Sequence, residues 1–340
     1  MNRGASAVIT RAGAMVSGGE IRAAIDLLTH VNRDRPSADL ERELVRLRRL
    51  GGQAVPRAMS AEPAPVGAAT PDGTILEVAS GDLNAAVLRE GFSRCGCLLV
   101  RGLVSPERAA RLAAGIDAAL AAFDAYVAGD ANADPAWFSP ESMPDRDGSG
   151  MTEDARRRFL RGRGALWTAD SPRMLFELFE FVDDLGLSAL MTEFLGERPL
   201  MSGIKGTLRR VPPDVEVDGR WHQDGAFLGE RIAALNIWVT LTRCGVDAPG
   251  LDIVPKRFEH VVQDAQAKYD WSLSDEAVLE ASAGTPIVRP ELEAGDALLF
   301  DHLLLHRTGA SPGMIHERHA IESWFFAPSA YPLDQLPILC

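Results

Sequence analysis

The sequence predicts a mostly β domain, decorated by flanking helices and preceded by an N-terminal helical hairpin, and three stretches carry that prediction. Leu235, Ile237, Val239 and Leu241 alternate with Asn236, Trp238 and Thr240. This is the period of two that marks a strand with one apolar and one mixed face. Gly295-Asp296 opens an apolar run that reaches His306 and breaks at Gly309 and Pro312, which reads as a strand ending in a histidine. Near the N-terminus, Ile21, Ala24, Ile25, Leu28 and Val31 recur instead at helical spacing.

Taken in order, residues 18–50 are helical, with a second stripe of Leu40, Leu44 and Leu47 after the Pro36-Ser37 break and Ser37 as its N-cap. Residues 1–55 are therefore assigned to a hairpin appendage. It either packs on the main domain or serves for homodimerisation or docking of a carrier protein. Residues 51–74 turn rich in Ala, Pro and Gly, including Pro56, Pro63, Pro65 and Pro71. A linker over 56–80 and a main domain over 81–335 follow. From Leu83 the pattern gives a helix, a short strand around Cys97 to Val100 and an Ala-rich helix from Pro106 to about Val127, which would brace the outside of the sheet. Residues 130–150 form a polar loop long enough for a lid.

The run Arg156 to Arg163, ahead of Trp167, has two readings. In one, Arg161, Arg163 and Trp167, together with Lys205, are substrate contacts on a cationic rim for a carboxylate or a phosphopantetheine thioester. In the other, Thr152 caps a helix whose Glu153 and Asp154 sit at its positive end and whose arginines sit toward its negative end. Residues 174–195 look like further helix, with Leu175, Leu178, Phe179, Val182 and Leu185 on one side.

Composition excludes several function classes. With 48 acidic against 35 basic residues the net charge is −13, which disfavours nucleic-acid and anionic-membrane binding. Cys95, Cys97, Cys244 and Cys340 show neither CxxC spacing nor disulfide density and are read as thiols in a reducing compartment. No stretch has the length of a membrane span or the form of a signal peptide, so a cytoplasmic location is expected.

The stretch with most chemistry is Trp221-His222-Gln223-Asp224-Gly225. In an extended strand His222 and Asp224 leave one face together and can chelate one metal. His306 can supply a third ligand. Two imidazoles and one carboxylate on one face of an octahedral ion leave three positions for a bidentate co-substrate and dioxygen, the pattern of iron(II) oxygenases. Zinc is better served by a closed tetrahedral site or by Cys ligands. Thr308 shares the face of His306, and Arg318, twelve residues after His306, could hold a carboxylate in the bidentate manner that Lys cannot match. His302, an even number of residues before His306, competes for the third position on spacing alone. His30, His260, His316 and His319 are read as ordinary polar residues. Trp238 either looks into a cofactor cavity or is a cross-strand packing residue.

Three blocks, Trp221 to Gly225, Leu235 to Leu241 leading to Pro249 through Pro255, and Gly295-Asp296 through His306 to Arg318, have the order and spacing of a known family. The chain resembles the phytanoyl-CoA dioxygenase-like iron(II)/2-oxoglutarate oxygenases over about residues 83–328. The resemblance implies a double-stranded β-helix, a cupin-like jelly roll. It implies His222, Asp224 and His306 as metal ligands and catalytic centre, and Thr308, Arg318 and Trp238 around 2-oxoglutarate. The implied reaction takes iron(II), 2-oxoglutarate and dioxygen and hydroxylates a C–H bond of a small molecule, acyl- or carrier-linked, secondary-metabolite or lipid-like, with release of succinate and carbon dioxide. Desaturation, epoxidation or cyclisation at the same site, or a silent barrel binding a metal or small acid, are the alternatives. The carboxylate of Asp224 disfavours halogenation, since related halogenases have Gly or Ala there. One departure stands out: the family commonly has Gly-Ser-His after the Val-Pro step, and here Lys256-Arg257-Phe258 follow Pro255.

Overall fold

Three helices open the chain where the sequence predicts a pair: α1 (Arg3–Ser17), α2 (Ile21–Asp34) and α3 (Ala38–Ala54). The computed structural model describes residues 3–58, 73–140, 152–213 and 220–340. Pro63, Pro65 and Pro71 of the expected linker, and Pro144, Asp145, Asp147 and Gly148 to Gly150 of the expected lid, lie outside these residues. Helix α1 escapes the periodicity argument because its fully buried positions, Ala5 and Ala12, are small. Ser37 precedes α3 as predicted, yet its side chain makes no capping bond. Its backbone N–H instead donates to Asn32 Oδ1 at 2.9 Å.

The remaining elements are β1 (Leu76–Ala79), α4 (Ala85–Cys95), β2 (Cys97–Arg101), α5 (Pro106–Val127), α6 (Glu153–Gly162), β3 (Ala165–Trp167), α7 (Pro172–Asp184), α8 (Leu187–Leu195), β4 (Leu200–Ser202), β5 (Thr207–Val211), the one-turn α9 (Gly225–Leu228), β6 (Ala234–Thr240), β7 (Gly250–Ile253), α10 (Asp275–Ser282), β8 (Ala297–Phe300), β9 (His306–Gly309), β10 (Arg318–Phe326) and β11 (Pro337–Leu339). Strand β1 begins within the stretch read as linker and pairs in parallel with β2. The helical stretch expected over 174–195 is divided in two, because Gly186 takes a left-handed φ of 65° between α7 and α8. Cys95 ends α4, and its sulfur is 3.6 Å from that of Cys97, both buried.

The large sheet runs β1-β2-β8-β6-β10-β4-β11, with β5 pairing β10 and β3, and a separate pair is formed by β7 and β9. Strand alternation assigns the two faces of the large sheet. Leu235, Ile237, Val239 and Leu241 belong to one apolar cluster with Leu112, Ile116 and Leu120 of α5 and Leu175, Leu178 and Val182 of α7. On the other face Trp238, Leu298, Phe300 and Trp324 join Leu251 and Ile253 of β7 in a second apolar cluster. The strands thus lie between a helical layer and the small sheet. Helices hold more residues than strands, so the described chain is mixed α/β rather than mostly β. The excess comes from the helical layer, whose stripes were each legible but whose total extent was not.

The N-terminal helices belong to the same body. A Cβ at Gly51 would lie 2.7 Å from Leu339 Cδ2 and one at Gly52 2.5 Å from Pro337 O, so α3 approaches β11 too closely for any larger residue. Arg48 Nη1 donates to Leu339 O at 2.9 Å and its guanidinium lies 3.8 Å over the Phe179 ring. No described helix is long and apolar enough to cross a membrane.

Candidate metal centre

His222 and His306 face each other across an isolated antiparallel bridge, with His222 N donating to His306 O at 3.0 Å and the reverse bond at 3.1 Å. The alternation read from the sequence holds up to Gln223. Trp221 Nε1 donates to Asp275 Oδ1 at 3.0 Å, and Gln223 Nε2 donates to Leu303 O at 2.7 Å, so both are engaged in the supporting scaffold. Asp224 arrives differently. Its backbone has left the strand (φ −61°, ψ −22°) and starts α9, so a turn rather than an extended strand brings the carboxylate to the imidazole. Gly225 N anchors that turn on His302 O at 2.7 Å.

His306 also departs from its predicted place, since it begins β9 instead of ending the apolar run. The run breaks at Asp301, whose Oδ1 accepts from Leu303 N at 2.9 Å in an Asx turn and whose Oδ2 pairs with Arg257. Arg257 is one of the residues standing where the family commonly has Gly-Ser-His. It holds the turn that delivers His306.

Ligand atoms of His222, Asp224 and His306 all lie within 4.8 Å of one another. His306 Nε2 is 3.8 Å from Asp224 Oδ2, and the two imidazole centroids are 4.5 Å apart. His222 Nδ1 donates to Arg220 O at 2.8 Å and His306 Nδ1 to Leu304 O at 3.0 Å. Each backbone carbonyl fixes a tautomer that leaves Nε2 with its lone pair for a metal. Burial and the neighbouring His306 push His222 down to about 4, so it is neutral at ordinary pH. Burial alone would raise Asp224, but Lys205 and the two histidines outweigh it and hold the carboxyl at about 2. Asp224 Oδ2 is buried and has no hydrogen-bond partner. A buried, ionised oxygen left without a partner is costly unless a cation occupies the site, so this donor set fits iron(II).

His302 stays outside the group. Its Nε2 donates to Glu230 O at 3.0 Å, and burial lowers its pKa. A second cluster, Asp117, Glu317 and His319, is already served by Arg210, which is 2.9 Å from Asp117 and 3.8 Å from Glu317.

Arg318 is 1% exposed, and among the described residues no carboxylate pairs with it. Nη1 donates to Gly250 O at 2.8 Å and to Pro249 O at 3.3 Å, whereas the buried Nε has no partner. Burial drives its pKa down to about 10. Trp238 lies beside it, with the guanidinium 5.3 Å from the ring centroid. Glu322, in register with Trp238, is engaged by Trp324 Nε1 at 3.0 Å and Thr207 Oγ1 at 2.9 Å. Thr308 stands opposite Leu251, one step along the ladder from the Gly250–Gly309 pair at which Arg318 is anchored.

The candidate substrate contacts separate. Lys205 reaches the centre, with Nζ 2.6 Å from Asp224 Oδ1. Arg161 makes a two-pronged pair with Asp124 at 2.9 and 2.6 Å, and Arg163 lies 4.6 Å over the exposed Phe159 ring. Thr152 caps α6 through Ala155 N at 3.2 Å, which is the helix-end reading of this run. Trp167, in β3, is buried opposite Thr207 of β5, with Arg157 5.7 Å over its ring. Asn236 was missed. It lies in register with both Phe300 and Trp324, Phe300 touches His306 with centroids 5.0 Å apart, and neither end of the fully buried Asn236 amide has a partner. Its place on the mixed face with Trp238 was the signal available.

The family profile described as phytanoyl-CoA dioxygenase (PhyH) matches residues 92–320, a span that includes all three candidate ligands and Arg318. No curated protein matches the sequence. Among solved structures, AviO1 from Streptomyces viridochromogenes Tue57 is 20% identical, with 74% of this chain and 98% of that chain covered and a TM-score of 0.46. EctD from S. alaskensis with 2-oxoglutarate and 5-hydroxyectoine is 18% identical, with 80% and 83% covered and a TM-score of 0.49. EvdO2 from Micromonospora carbonacea var. aurantiaca complexed with 2-oxoglutarate is 18% identical, with 72% and 93% covered and a TM-score of 0.41. With the profile spanning most of the chain and all three candidate ligands, the protein belongs to the phytanoyl-CoA dioxygenase (PhyH) family of iron(II)- and 2-oxoglutarate-dependent oxygenases.

Proposed function

We propose that this oxygenase hydroxylates a C–H bond of a small-molecule substrate on a double-stranded β-helix, with His222, Asp224 and His306 holding the iron. The observation that carries the reading is a pair of incompletely matched buried groups: Asp224, whose Oδ1 is held by Lys205 while Oδ2 has no hydrogen-bond partner, and the carboxylate-free guanidinium of Arg318. One calls for a cation and the other for an anion. A dicarboxylate with one end on the metal and the other on Arg318 answers both.

Iron(II), 2-oxoglutarate and dioxygen supply the oxidising chemistry when bound, with succinate and carbon dioxide as co-products. This chain's residues do the rest. His222 and His306 present Nε2 because Arg220 O and Leu304 O hold their Nδ1 protons. Arg318, pinned by the carbonyls of Pro249 and Gly250, orients the far carboxylate of the co-substrate, with Thr308 offering a hydroxyl and Trp238 forming the wall. Phe300 and Trp324 keep water from the inner face. Because Asp224 fills a ligand position, an exogenous halide has no vacated carboxylate site, which favours oxygen insertion over halogenation.

The test is a panel of small-molecule substrates assayed for succinate and for product mass. Succinate formed in step with a product one oxygen heavier supports hydroxylation, a product two hydrogens lighter replaces it with desaturation, and no succinate above background with any substrate favours a silent binder.

A further inference from the structure

We infer that Lys205 is a positioning residue that occupies Oδ1 of Asp224, so that the carboxylate offers Oδ2 alone to the metal; this rests on the proposed role of Asp224 as ligand. Its ammonium is 2.6 Å from Oδ1, while Oδ2, without a hydrogen-bond partner, lies on the side of His306 Nε2 at 3.8 Å. The two oxygens therefore have different neighbours before any ion arrives.

The ammonium is held from both ends. Lys205 sits in the turn between β4 and β5, where the buried Ser202 hydroxyl accepts from Lys205 N at 3.0 Å and from Ile204 N at 3.3 Å and itself donates to Gln335 Oε1 at 2.8 Å. Gly206 N closes the turn on Ser202 O at 3.3 Å, and Gly206 O accepts from Thr168 N at 3.0 Å. At the far end Nζ lies 4.0 Å from the ring centroid of Phe227, a residue of α9 in the same turn of chain that places Asp224. The lysine side chain is 22% exposed and the aspartate 2%, so the pair is poorly screened.

An ammonium at this place acts on the metal in two ways. It blocks chelation through both oxygens, which would use one of the three positions a facial site reserves for co-substrate and dioxygen. It also repels a dication and attracts the dianionic co-substrate. Lys205 thus weakens metal binding and strengthens 2-oxoglutarate binding. A purely structural residue would strengthen both.

The experiment titrates Co(II), then 2-oxoglutarate, into the metal-free wild type, Lys205→Met and Lys205→Arg, with the visible Co(II) spectrum as readout and His306→Ala as the site control. Lys205→Met is expected to bind Co(II) severalfold more tightly, with an altered spectrum, and to bind 2-oxoglutarate severalfold more weakly, because one cation near the dianion is lost. Lys205→Arg should keep the wild-type spectrum. An unchanged spectrum in Lys205→Met, or a fall in both affinities together, overturns the inference while leaving the ligand assignment standing. Wild-type Co(II) binding that survives His306→Ala overturns the ligand assignment and this inference with it.

Discussion

The arginine run of α6 and the inner face of the large sheet are both rich in charge, and they treat it in opposite ways. On α6, Arg157 meets Asp170 at 2.8 Å and Arg161 meets Asp124 at 2.6 Å, cation matched by carboxylate within the chain. On the inner face Arg318 is deeper than either, yet it is given only carbonyl oxygens, and in the turn that opens α9 Asp224 keeps one oxygen with no partner. Folding does not leave buried charge unmatched without a compensating partner. The contrast teaches that charge matched within the chain, buried or exposed, ties a helix to its neighbours, whereas charge that is buried and incompletely matched marks a ligand.

The comparison breaks most visibly at the carboxylate. Asp224→Ala should abolish 2-oxoglutarate consumption while leaving the far-ultraviolet dichroism intact; full consumption by the variant would mean that Oδ2 awaits no cation. Next comes Arg318→Lys, which should raise the apparent dissociation constant for 2-oxoglutarate on the order of tenfold to a hundredfold, about 1.5–3 kcal/mol for a bidentate pair reduced to a point contact. Unchanged saturation by 2-oxoglutarate would remove Arg318 from the site. Asn236→Leu sharpens the same logic with a neutral group. Removing a buried amide without partners should leave the ligand-free protein no less stable, with a melting temperature raised by a few degrees for about 1–2 kcal/mol, and should shrink the further rise that metal and 2-oxoglutarate produce. A lower melting temperature with an undiminished ligand response would show that Asn236 is satisfied within the fold. The smallest effect belongs to Arg161→Ala, expected to change stability by about 0.5 kcal/mol or less and turnover not at all, because an exposed ion pair contributes little. A raised KM for substrate in that variant would return α6 to the binding rim.

What the sequence made legible is what local spacing governs. The outward alternation of β6 and the cap and charge order of α6 can be read without tertiary information, because each depends on neighbours a few residues away. His306 was legible as a residue beside Thr308 and before Arg318, but its strand was not, since the Asx turn at Asp301 depends on a side chain bonding its own backbone within an apolar run. The break at Gly186 was hidden for a related reason: nothing in the apolar spacing of α7 and α8 registers a left-handed residue between them. The partners of Lys205, Arg161 and Asn236 lie on distant segments or are missing altogether, and no periodicity reports either condition.

The central claim is that His306, and not His302, joins His222 and Asp224 around one iron to which 2-oxoglutarate binds. It is tested most directly by anaerobic titration of iron(II) into the protein with 2-oxoglutarate present, following the visible charge-transfer absorption of the chelated complex in the wild type, His306→Ala and His302→Ala. The absorption should saturate at one iron per chain in the wild type and in His302→Ala and be absent in His306→Ala. Absorption retained in His306→Ala and lost in His302→Ala would contradict the account.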